Sequence, residues 1–99
     1  MRTRSSKNLF CCAVMEFPAG MSGYAQYLVN GIARLPRSYT VYSRDSNGAA
    51  KKFLTALKNA VGDYADEVIR PGLVVGIWSD FKSWPEYKLN SDLKLVRVE

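Results

Sequence analysis

Histidine is absent from this 99-residue chain. That absence removes Ser-His-Asp and Cys-His catalysis and nearly all zinc chemistry. Cysteine is scarce, and its two residues, Cys11 and Cys12, are adjacent. In a strand, neighbouring side chains face opposite ways, so the two thiols are poorly placed to bridge each other. No lysine or histidine adjoins them in sequence to make a thiol reactive. Two small buried hydrophobes in a reducing cytoplasm are the expectation. The longest apolar run, Leu9 to Phe17, is too short for a membrane span. There is no GxGxxG and no P-loop lysine followed by serine or threonine. Repeats, low-complexity segments and interdomain linkers are also missing. No cofactor, metal or membrane partner is expected.

What remains is an ordinary globular composition, 47% hydrophobic and 23% charged. A chain this long can bury roughly 65% of its unfolded surface, enough for one modest core. The net charge of +5 and pI near 9.4 permit attraction to nucleic acid, an anionic membrane or an acidic protein surface. Arg2, Arg4 and Lys7 precede the apolar run, but Glu16 within it, and Pro18 following without a small-x-small cleavage site, argue against a signal peptide. Residues 1–7 are expected to form a flexible basic arm and residues 8–99 a single domain.

Leu9 to Phe17, read as a strand, is apolar on both faces and asks for a central place in a sheet. Ser22 stands where an N-cap would, and Tyr24, Leu28 and Ile32, widened by Ala25 and Val29, predict a helix from about Ser22 to Arg34. Ser38 to Arg44 predicts a second strand. Ser46 or Asn47 is expected to cap a long helix whose stripe runs through Ala50, Leu54, Leu57, Val61, Tyr64 and Val68, with Phe53 and Ala60 beside it. Gly62 followed by Asp63 could split that helix, but the stripe keeps phase, so one helix with a weak point is expected. Leu73 to Trp78 predicts a third strand, and Tyr87 to Glu99 one or two more, with Asn90-Ser91-Asp92 as a bulge or a tight turn within it.

The order is thus β-α-β-α-β-β, an α/β domain with about four strands in the order 2-1-3-4. Strands separated by helices usually run parallel with right-handed crossovers, which would put the helices on opposite faces. The loops Pro18–Gly23, Asp45–Gly48 and Ser79–Glu86 would then share one sheet edge, where open α/β sheets bind ligands. An α+β arrangement with both helices on one face is the alternative.

Three groups of residues point to chemistry. Trp78, Phe81, Trp84 and Tyr87, spaced by Asp80, Lys82 and Glu86, are too many aromatics for a short loop to bury. With Trp78 capping the core, Phe81, Trp84 and Tyr87 would anchor a protein partner, with Lys82 and Arg44 on the polar rim. Arg34, Arg37, Arg44, Lys51 and Lys52, near Tyr39, Tyr42 and Lys58, could instead follow a nucleic-acid backbone. The Gly20–Gly23 loop at a helix start could cradle an anion or nucleotide, with the Gly23 amide, the Ser22 hydroxyl and Arg44 as donors. Asp45, Asp80, Glu86, Ser22 and Cys12 form no recognised acid-base or nucleophile arrangement, so no enzyme is expected.

In general type this short, histidine-free, basic chain with an aromatic loop resembles small accessory proteins of phages and mobile elements. The resemblance covers no specific motif. It implies a non-enzymatic protein-binding module that inhibits a larger host or defence complex in the (host) cytoplasm. A basic nucleic-acid-binding module is the first alternative, and a small nucleotide- or anion-binding protein the second.

Overall fold

The apolar stretch near the start of the chain becomes an interior strand, β1 (Asn8–Glu16), with a partner on each side. The computed structural model describes residues 7–79 and 84–98. Within them one antiparallel sheet runs in the order β2-β1-β3-β4-β5. Its other strands are β2 (Tyr39–Ser43), β3 (Val74–Trp78), β4 (Glu86–Leu89) and β5 (Leu95–Arg97). Helix α1 (Gly23–Ala33) joins β1 to β2, while α2 (Ser46–Val61), a 3-10 turn at Gly62–Tyr64 and the single turn α3 (Ala65–Val68) join β2 to β3. The mixed α and β composition and the order 2-1-3-4 are as the residues imply, with β5 added.

The strand directions differ from the parallel expectation. Leu9 pairs with Tyr42 and Cys12 with Tyr39, so β1 and β2 oppose each other, and residues 17–38 leave and return at the same end of the sheet. Cys11 faces Trp78 and Val14 faces Val75, so β3 also opposes β1. Consequently β2 and β3 run the same way on either side of β1, and α2 with α3 is the only crossover between them. Pro18–Gly23 therefore lies at the opposite end of the sheet from Asp45–Gly48 and Ser79, and the loops expected at one edge are separated.

With one crossover there is no second helix sent to the other face. Phe10, Cys12 and Val14 of β1, Val75 and Ile77 of β3 and Tyr87 and Leu89 of β4 point one way. They pack in a single core with Ala25, Val29 and Ala33 of α1 and with Ala50, Phe53, Leu57 and Val61 of α2. Both helices share that face, and the α+β alternative is the arrangement adopted. The buried line of α1 is Ala25-Val29-Ala33, rotated from the expected one, so Leu28 and Ile32 are half-buried and Tyr24 is exposed. Short side chains on that line bring α1 in beside α2.

Local signals explain most boundaries. Ser22 Oγ accepts from the Ala25 amide at 3.2 Å and caps α1 as expected. Asp45, rather than Ser46 or Asn47, caps α2, its Oδ1 accepting from the Gly48 amide at 2.7 Å. Ser46 is engaged elsewhere, 2.6 Å from the Tyr87 hydroxyl. The long helix does divide at Gly62, whose φ of +58° ends α2. The turns that follow, Gly62–Tyr64 and α3, begin without a side-chain cap. Continuity of the apolar stripe did not outweigh a residue free to enter the left-handed region.

Candidate functional site

Among the described residues, the other face of the sheet carries no helix. Its side chains are those alternating with the core set: Leu9, Cys11, Ala13 and Met15 of β1, Thr40 and Tyr42 of β2, Val74, Gly76 and Trp78 of β3. Glu86 and Lys88 of β4 and Val96 of β5 continue it, since Lys88 pairs with both Val74 and Val96. Antiparallel sheets with one solvated face usually alternate apolar-in and polar-out. This one does not. Leu9, Tyr42, Val96 and Val98 are 46%, 62%, 50% and 41% exposed.

A small floor makes room for a partial lid. Ala13 pairs with Gly76 across β1 and β3, and Glu86 pairs with Gly76 from β4. A methyl group built on Gly76 would lie 2.7 Å from Trp84 Nε1 and 2.9 Å from Met15 Sδ, so both side chains rest directly on its backbone. The Trp84 ring stacks on Trp78 with centroids 4.1 Å apart and planes inclined by 17°. Such a pair contributes about 0.5–1.5 kcal/mol beyond its buried area. Against this, Trp84 Nε1 is buried and has no hydrogen-bond partner among the described residues, which costs about 1–3 kcal/mol. Glycine within a strand is a sequence signal for such close approach. It went unread in Leu73–Trp78.

The anchors proposed from sequence divide three ways. Trp84 is half-buried on the open face, and Trp78 beneath it is 5% exposed, capping that face of the sheet rather than the core. Tyr87 is not a surface anchor: β4 turns it toward the helices, where it is 4% exposed and bonded to Ser46. Phe81 and Lys82 lie outside the described residues, as does Asp80. Arg44 is exposed just past the end of β2.

The structure does not assemble the basic group. Arg34 and Arg37 sit before β2 and Arg44 after it, separated by a five-residue strand of about 17 Å. The Arg34 guanidinium is held 4.4 Å from the centre of the Phe17 ring. Lys52 donates its Nζ to the Tyr42 carbonyl, while Lys51 lies on α2 facing the turn that precedes β5.

In the Gly20–Gly23 loop, two donors at Ser22 are already engaged. The Ser22 hydroxyl is committed to its cap, and the Ser22 amide donates to Glu67 Oε1 at 2.8 Å. That hydrogen bond, more than the nearby Arg70, holds the Glu67 carboxyl below its ordinary range. The chain supplies its own anion there. Arg44, the proposed donor, is at the opposite end of the sheet. Arg70 approaches the loop instead, its Nη1 3.4 Å from the Ala19 carbonyl.

The two thiols differ by face. Cys12 is wholly buried under the helices, and burial, with Cys11 adding to it, pushes its pKa up to about 12. Cys11 is half-buried on the open side. Missed by the sequence reading altogether is a tyrosine cluster on the helical layer: Tyr24 stacks on Tyr27 at 6.1 Å and meets Tyr64 at 5.1 Å. Helical spacing had placed Tyr24 inside.

Among the described residues no helix is long and apolar enough to cross a membrane, and no group of three or more Cys, Asp or Glu is placed to hold a metal ion. Compared with models of protein families, with characterised proteins and with solved structures, the chain finds no significant match.

Proposed function

We propose that this chain is a non-enzymatic protein-binding module that docks the open face of its sheet onto a larger protein. One observation carries the reading: Leu9, Tyr42, Val96 and Val98 are exposed on the open face around a tryptophan pair, interrupted by Glu86 and Lys88 of β4. Contiguous apolar surface of this kind marks sites of association. Aromatic side chains presented from strands lose little entropy on binding and supply most of the energy in protein interfaces. Trp84 and Tyr42 are the aromatic anchors, Leu9, Val96 and Val98 surround them, and Glu86, Lys88 and Arg44 form the polar rim. A module of this type inhibits by occupying a surface its partner needs.

The test replaces Leu9, Tyr42 and Val96 together by threonine, which keeps the strand propensity and removes the apolar surface. Affinity capture from the native cytoplasm should recover a specific protein with the parent chain and lose it with the variant. Circular dichroism and melting temperature should stay nearly unchanged. Equal recovery by both chains, or recovery of nothing by either, overturns the proposal.

A further inference from the structure

A second surface has a different character. Asn47, Lys51, Leu54 and Thr55 of α2 face Leu93, Lys94 and Leu95 across a groove of about 520 Å³. It lies between α2, which packs across β2, β1 and β3, and the turn that leads into β5. Its floor is aliphatic, from Leu54 and the half-buried Leu95, both packed against the core. Among the described residues its charged lining is Lys51 and Lys94, with no carboxylate. The whole of α2 contains neither aspartate nor glutamate.

The turn that forms one wall has an unusual residue. Asn90 Oδ1 accepts from the Asp92 amide at 2.9 Å and from the Lys94 amide at 3.0 Å, fixing the chain between β4 and β5. Within that turn Leu93 adopts φ of +60°, a left-handed conformation that suits glycine or asparagine. Its side chain is 52% exposed. A leucine both strained and solvated contributes little to folding, and retained strain of this kind clusters at ligand contacts.

We propose that this groove is a docking site for an acidic segment of a protein partner, with aliphatic or aromatic side chains seated on Leu54, Leu93 and Leu95 and carboxylates paired to Lys51 and Lys94. The volume falls in the range of sites that enclose several side chains. Charge selects the occupant: two ammonium groups without a competing carboxylate favour an acidic chain, and the net charge of +5 steers it in. The leucine floor selects peptide over nucleic acid, because no lining ring is available to stack a base. The site is separate from the open sheet face, so either can fail alone.

The probe is a fluorescein-labelled synthetic helix with leucines at i, i+4 and i+7 and glutamates between them, titrated with the full chain and followed by anisotropy. Binding should weaken about tenfold or more in the Lys51→Glu, Lys94→Glu double variant. It should also weaken in Leu93→Gly, whose melting temperature stays equal to the parent's or rises. The threonine variant of the open face should bind the peptide undiminished. No binding at low salt, binding indifferent to Leu93→Gly, or tighter binding of a single-stranded oligonucleotide than of the peptide would each overturn the assignment.

Discussion

The two faces of the sheet are built from the same strands and the same kinds of residue, yet they have different fates. On the helical face every large side chain of β1, β3 and β4 is under 10% exposed. There the Tyr87 phenol, 4% exposed, finds a hydroxyl partner in Ser46. On the other face Leu9, Tyr42 and Val96 are left in water, while Trp84 and Met15 rest on Gly76 and shield the middle. Apolar character therefore does not decide burial here. The direction of the chain after β1 decides it, by sending both helices to one side.

Adjacent cysteines are a built-in probe of that contrast. Burial holds the Cys12 pKa far above pH 8, so its thiol stays protonated there. A thiol reagent should label Cys11 in the folded chain and reach Cys12 only on unfolding, as mass spectrometry of the digest would report. Prompt labelling of Cys12 would break the comparison. Tyrosines test it energetically. Tyr87→Ala should destabilise by about 3–5 kcal/mol in urea unfolding, against about 0.5 kcal/mol or less for Tyr42→Ala. Comparable costs would mean that the faces are equally buried.

A smaller effect sharpens the picture of the open side. The methyl of Gly76→Ala meets Trp84 and Met15, and should cost about 1–3 kcal/mol while shifting tryptophan emission to the red as Trp84 lifts from Trp78. Unchanged emission would remove Trp84 from this site. Tyr87→Phe, which leaves only Ser46 unpaired, should cost about 0.5–1.5 kcal/mol. The smallest change concerns Glu67. Its carboxyl titrates lower in the folded chain than in the unfolded one, so its contribution is complete above the unfolded pKa and is lost as pH falls through the folded pKa. Melting temperatures of the parent and Glu67→Gln should differ at neutral pH and converge in acid. A constant difference would show that the charge is not what matters.

Much of the framework was legible because it follows from local chemistry. Two apolar faces at Leu9 to Phe17 put that strand centrally, and the order 2-1-3-4 holds, but the helical cover those faces implied on both sides lies on one. Ser22 announced a cap and was one. Strand direction was not legible, because an antiparallel return through α1 uses the same residue pattern as a parallel crossover. Aromatic density at residues 78–87 marked the right neighbourhood but could not say which ring faced which way. One step of strand alternation separates Tyr87 in the core from Glu86 and Lys88 on the open face. The turn at Asn90-Ser91-Asp92 was visible too, yet the left-handed residue fell just beyond it on Leu93, where nothing in the composition signals it.

The contact between Lys52 and the Tyr42 carbonyl has a consequence for how copies of this molecule behave in company. β2 is an outermost strand, and its five residues, Tyr39 to Ser43, carry no charge to repel a passing chain. The ammonium occupies a backbone acceptor that another strand would otherwise seize. Lys52→Ala, which frees that carbonyl, should raise edge-to-edge association at high concentration, as light scattering would report; scattering equal to the parent's would show that the contact guards nothing.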